Sequence, residues 1–228
     1  MINQLIEFNK EQQIRSRMEF CSLEANRDSR LCGLAGGENT YDAWLEYYSA
    51  DDNKNVFSKG MDRFETWRQL FLSSKLVLKG REYKIGSSHD HRVDDFLSEF
   101  KKIKSKNPDL FVFICAGMIV IFQVFGDGNH RTANYLYEKM RRKAIRSEQM
   151  EGINDLLRVN DYHSITEQPG KMDTIIRGLI SVFNMPERRS VSRRRSRSRS
   201  ASRRRSRSAS RGRSRGGRRI LGSRKSLV

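Results

Sequence analysis

The stretch Phe125-Gly126-Asp127-Gly128-Asn129-His130-Arg131-Thr132-Ala133 decides how the middle of this chain is read. It follows the most apolar segment of the sequence and precedes an amphipathic one. Two glycines flank a carboxylate, so a tight turn is expected there. A buried helix ends, and a new helix starts at about Asn129. The first N–H groups of a helix have no intrahelical partner. Those of Gly128, Asn129 and His130 would point into the loop, and an anion, above all phosphate, is the usual occupant of such a terminus. Arg131, one step further in, offers a guanidinium for a second phosphate. Asp127 offers a hard oxygen ligand suited to a Mg²⁺ ion bridging phosphates. The same residues also admit a plainer reading, a capped helix–helix corner whose Asp and Asn satisfy local N–H groups.

Working outward, residues 110–125 are apolar apart from Gln123 and Gly117. That run falls short of the roughly 20 residues needed to span a bilayer, so a buried central helix is expected and membrane contact is not. Residues 93–104 form an amphipathic pattern with Asp94 and Asp95 in the first turn and lysines in the last, as the helix dipole favours. Asn107-Pro108-Asp109 separates the two helices. Residues 76–78 and 83–85 flank Lys79-Gly80-Arg81-Glu82, a hairpin pattern. Residues 56–72 place Phe57, Met61, Phe64, Trp67 and Phe71 on one helical face, which reads as core.

Residues 41–48 and 2–22 are also helical in pattern, the latter only moderately amphipathic, and 27–39 with its glycines reads as a loop. His89-Asp90-His91 reads as a solvated turn, or as a cap through Asp90, rather than a metal site. Downstream, helices are expected at 132–146, 153–159 and 172–183, and Pro186 closes the body. The order is mainly α with one small hairpin.

The quoted loop resembles the signature of the Fic/Doc (Fido) domain family, His-Pro-Phe-x-[Asp/Glu]-Gly-Asn-Gly-Arg and its variants. The resemblance covers roughly residues 70–146. It implies a Fido-like helical domain with the signature loop between two central helices and a short β-hairpin flap upstream. The 76–85 hairpin stands where the flap would, and 93–104 and 110–123 match the next two helices. Most members of the family transfer an adenylyl group from ATP to a protein hydroxyl. Carried over by position, the resemblance implies that Phe125 anchors the loop and that Asp127 holds Mg²⁺. It further implies that Gly128, Asn129 and the His130 backbone form the anion hole and that Arg131 contacts the terminal phosphates of ATP. Flap residues 81–85 would align a target segment by strand addition.

Two departures bear on the chemistry. Gln123 occupies the position of the family's catalytic His, and Val124 that of its Pro. Glutamine has no titratable nitrogen near neutral pH and cannot act as general base, a loss of ~10²–10⁴-fold in rate. The third position of Gly-Asn-Gly is His130, and Asn134 stands where many relatives carry a second Arg. A degenerate domain is implied, with phosphate-binding geometry kept, transfer lost and no catalytic residue.

The charge is distributed unevenly. The chain carries 45 Lys and Arg against 27 Asp and Glu, a formal +18. From Arg188 onward there are 17 Arg, one Lys and no acid, which leaves 27 basic against 27 acidic side chains in residues 1–187. Residues 187–228 therefore form a separate Arg/Ser-rich segment, expected to be disordered because its self-repelling charge has no apolar surface to bury. Arg193, Arg194, Arg195, Arg197 and Arg199 are followed by a second such block, Arg203, Arg204, Arg205 and Arg207. These are the expected contacts to nucleic acid, RNA or DNA, through counterion release. The interleaved serines suit a protein kinase. About ten phosphates would cancel the charge, so the chain is expected to be a phosphoprotein. The segment resembles both the Arg/Ser-rich regions of splicing-type proteins and the basic tails of viral nucleocapsid proteins.

Three cysteines, Cys21, Cys32 and Cys115, without CxxC spacing, argue against a disulfide framework or a zinc module. No signal-peptide pattern opens the sequence, so nucleus or cytoplasm is expected rather than secretion. The domains expected are an N-terminal helical region over 1–69, which the sequence leaves open as part of the same domain, the Fido-like body over 70–186 and the tail over 187–228. The function expected is a nucleic-acid-associated protein with a phosphate-binding, transfer-inactive body. The alternatives are an active Fido-type adenylyltransferase targeted by its tail, and a viral capsid-like protein whose body self-associates.

Overall fold

A computed structural model of the chain describes residues 1–50, 56–57, 61–86 and 90–186. The tail arginines, His89 and the stretches between these ranges lie outside the described residues. Met1–Pro186 form one compact unit. The first 69 residues are part of this unit together with the helices that follow.

The described residues are mainly helical: α1 Ile2–Ser22, α2 Tyr41–Ser49, α3 Met61–Ser73, α4 His91–Lys106, α5 Pro108–Phe122, α6 Asn129–Arg141, α7 Ser147–Val159, α8 Tyr162–Glu167 and α9 Lys171–Phe183. One antiparallel hairpin, β1 Leu76–Leu78 and β2 Arg81–Tyr83, lies between α3 and α4. Helix α5 is the axis of the fold. Every residue from Leu110 to Phe122 is buried, which explains why the sequence shows no polar face there. At ~1.5 Å per residue it is about 22 Å long, and no helix among the described residues is long and apolar enough to cross a membrane.

Around α5 pack α4, α9, α7, α3 and α6. Asn107 ends α4 and caps α5 with its side chain, accepting from the N–H of Leu110 at 3.1 Å. Asp90 caps α4 through the N–H of Arg92 at 3.0 Å, as the sequence allowed. The aromatic face of α3 is core: Phe64, Trp67 and Phe71 are buried, and the Trp67 indole donates to the Cys115 carbonyl at 2.9 Å.

Four boundaries differ from the sequence expectation. Helix α3 starts at Met61 rather than 56, and Phe57 packs on Phe64 from the preceding segment. The second hairpin strand is Arg81–Tyr83 rather than 83–85. Lys79 and Gly80 both adopt left-handed φ, 49° and 76°, so they alone make the turn, with Leu78 opposite Arg81. Helix α6 ends at Arg141 rather than 146. Arg142 turns left-handed, and the N–H of Ile145 donates to the Asn134 side chain at 2.8 Å, folding the buried Ile145 back under the helix. Helix α7 starts at Ser147 rather than 153, because Gln149 accepts from the Arg146 N–H and donates to the Phe183 carbonyl.

The cysteine reading is also corrected. Cys21, at the end of α1, is disulfide-bonded to Cys32, with a Cα–Cα distance of 5.7 Å. A short 3₁₀ turn at Glu24–Asn26 and the turns after it bring the chain back on itself, which residue counting does not reveal. The bridge removes the cysteine pattern as grounds for an intracellular compartment. Cys115 is free and buried in α5, and burial pushes its thiol far up.

Candidate phosphate-binding loop

Helix α5 terminates at Gln123, which adopts a left-handed conformation (φ 51°, ψ 56°). The N–H of Val124 reaches back to the Ile119 carbonyl, the bond of a Schellman C-cap. Glycine is usual at that position. Here the Gln123 side chain adds a 2.7 Å hydrogen bond to the Val120 carbonyl. Arg63 covers the neighbouring Phe122 carbonyl at 3.0 Å and lies over the Tyr162 ring. Gln123 therefore works as a structural end-cap. Its amide is folded onto its own helix, and it carries no group that could take a proton.

Phe125 then drops into the core, 1 % exposed, against Phe57 and Phe64. Asn129 closes the loop. Its side chain accepts from the Phe125 N–H and donates to the Phe125 carbonyl, both at 2.9 Å. Gly128 is the N-cap of α6 with φ 72°, a conformation costly for other residues. A Cβ there would lie 3.2 Å from the Asn9 side-chain nitrogen on α1.

The expected donors are placed as follows. The Gly128 N–H is not free for a ligand, because the Asp127 carboxylate accepts it at 2.5 Å. This corrects its expected place in the anion hole, the short Asx bond having captured it first. The N–H groups of Asn129, His130 and Arg131 have no acceptor among the described residues. The His130 ring points away, with Nε2 2.6 Å from the Asn154 side chain on α7. Arg131 Nη2 donates to Ser16 Oγ at 2.9 Å and lies 3.9 Å from Asp127 Oδ2. Both of these charged side chains are about half exposed. Asn134 is engaged with Ile145 and is not part of the loop. Three donors without an acceptor among the described residues, one guanidinium and one carboxylate thus lie together at the start of α6. Phosphate suits the first two, and the carboxylate could share a Mg²⁺ with it. No cluster of three or more His, Cys, Asp or Glu among the described residues could hold a metal unaided.

The sequence reading missed what α1 does here. Asn9 donates to the Asp127 carbonyl and to Thr132 Oγ1, both at 2.8 Å, and accepts from Gln13 at 2.7 Å. Gln13 in turn donates to the Val56 carbonyl, which also accepts from the Gly126 N–H. Asn9 and Gln13 are fully buried, so this polar seam fixes the backbone of the loop. The signal was present in the weak amphipathicity of 2–22: the inward face is polar at Asn9 and Gln13. Burial pushes the Tyr48 phenol up, a hydrogen bond from Arg17 pulls it down, and the negative Asp127 pushes it up again. Tyr48 therefore sits within electrostatic reach of the loop.

The hairpin is tied to α3, Thr66 Oγ1 donating to the Val77 carbonyl at 2.5 Å. On β2, Glu82 pairs with Lys75 and Lys84. Compared with known proteins, the chain matches no family model, no curated protein and no solved structure.

Proposed function

We propose that this is a nucleic-acid-associated protein with two separate working parts. The Arg/Ser-rich segment 187–228 holds the polyanion, RNA or DNA. The helical body is a degenerate Fido-like domain that binds phosphate at the 127–131 loop and transfers nothing. The observation that carries the first part is the charge partition: 18 cations and no acid from Arg188 onward, against a body balanced at 27 and 27. Such a segment neutralises phosphates without reading bases. Its serines make it a kinase substrate, and the nucleus or cytoplasm is where such a partner and kinase meet it.

For the body, the N–H groups at the start of α6 and Arg131 support a phosphate site, with ATP and Mg²⁺ as the implied ligands. Gln123 at the base position supports the loss of transfer. The test is a salt titration of oligonucleotide affinity. The full chain should lose affinity steeply as salt rises. Replacing the nine arginines between Arg193 and Arg207 by serine should flatten that dependence. Affinity and slope unchanged by the replacement would refute the reading.

A further inference from the structure

Residues 139–146, Lys-Met-Arg-Arg-Lys-Ala-Ile-Arg, hold five cations and no carboxylate within a body of zero net charge. Asp109 engages two of them, Arg141 and Lys143. Lys139, Arg142 and Arg146 have no carboxylate partner among the described residues. Lys139 and Arg142 line an open groove of about 620 Å³ with Tyr135 and Glu138. Glu138 offsets one charge, and Lys143 and Arg146 keep the corner cationic. The Tyr135 ring is stacked on Phe8 at 4.0 Å and 7°, which holds an aromatic edge at the groove.

Two further observations set this corner apart. Arg142 occupies the left-handed cap of α6 (φ 54°, ψ 32°), where glycine or asparagine is the usual residue. A cation kept at a strained φ on an exposed corner, where glycine would relieve the strain, motivates a hypothesis of use. Arg146 Nη2 donates to the Met185 carbonyl at 2.6 Å. The corner therefore adjoins Met185, near the end of the compact unit.

We infer that this corner is a nucleic-acid contact on the body itself, Lys139 and Arg142 taking backbone phosphates of a single strand and Tyr135 a base. Cations beside an aromatic edge are the chemistry of sequence-tolerant single-strand binding. The inference rests on the reading of the protein as nucleic-acid-associated, but not on the arginine-rich segment being the site.

The experiment uses the full chain and a fluorescent oligouridylate, with anisotropy followed across a salt series. Each phosphate contact on a single strand contributes ~0.7 to the slope of log affinity against log salt. Lys139→Gln with Arg142→Gly should lower the slope by about 1.4. Arg142→Gly alone should raise Tm, since glycine suits that φ, while weakening binding; a purely structural role would raise Tm and leave binding unchanged. A slope unchanged in the double variant, while serine at Arg193, Arg194 and Arg195 lowers it, overturns the corner and leaves the arginine-rich segment standing. A slope lowered by the corner variant and unaffected by the serine variant upholds the corner and removes the other reading. No change in either removes both. Loss of phosphatidylserine-vesicle binding in the corner variant, with an unchanged oligouridylate slope, would assign the corner to a membrane surface and overturn the inference.

Discussion

Asn9 and Thr132 stand 123 residues apart and share a buried 2.8 Å hydrogen bond. Through that bond, and the one from Asn9 to the Asp127 carbonyl, the first helix of the chain holds the loop that begins α6. The loop geometry is thus a property of the whole body and not of a local motif. Asn9→Ala should cost about 1–3 kcal/mol, because it leaves a buried hydroxyl, a carbonyl and the Gln13 amide short of partners. Urea unfolding of the variant measures this. A loss under about 0.5 kcal/mol, the range of a neutral surface change, would show the seam to be slack.

The loop is expected to bind and not to react. Mg²⁺ with ATP should raise the Tm of the chain by mass action, and Arg131→Ala should abolish the rise. Labelled ATP should leave no adenylyl group on any protein. Robust transfer that disappears in Asp127→Ala would overturn the assignment of Gln123 as a cap without catalytic function. Recovery of transfer in Gln123→His would show that only the base had been lost.

The thiols give a clean count. Cys115 is buried with its thiol pushed up by desolvation, and Cys21 and Cys32 are bridged. The folded, unreduced chain should show no thiol reactive to Ellman's reagent. Unfolding without reductant should expose one, and unfolding with reduction should expose all three. Reactivity of two thiols in the folded chain would remove the bridge.

Asp161 caps α8, accepting from the Ser164 N–H at 2.6 Å. That backbone bond, opposed by slight desolvation and aided by the Ser164 side chain, holds its carboxyl below the ordinary aspartate value. A depressed folded pKa contributes stability above the ordinary value and loses it as pH falls through the folded one. Asp161→Ala should therefore cost about 1 kcal/mol near pH 7, and the two proteins should converge in acid. Thermal unfolding across pH 2–7 checks both. A gap that persists at the acid end would assign the cost to something other than the carboxylate.

Much of the fold was legible because its signals are local. The α1 limits, the buried α5, the Asp90 cap and the hairpin's existence all follow from short-range pattern and turn chemistry. What was not legible depends on contacts distant in sequence. The Cys21–Cys32 bridge depends on the path of a loop. The early end of α6 depends on Ile145 reaching Asn134. Helix α8 is six residues long and has too little periodicity to be seen alone; it is held by Tyr162, whose hydroxyl lies 2.8 Å from Thr66 Oγ1. At the loop, the residue types were readable, but the partners were not. Nothing local shows that Asp127 occupies the Gly128 N–H or that Ser16 meets Arg131.

The charge partition is tested most directly by phosphorylation. Oligouridylate affinity of the full chain would be measured before and after a serine kinase has modified the Arg-Ser repeats. About ten phosphoserines, each adding roughly −1.5 to −2, cancel the segment's positive charge. Affinity at moderate salt should then fall by about 10²-fold or more, and its salt dependence should flatten. Equal affinity and equal salt dependence before and after modification would contradict an arginine-held polyanion.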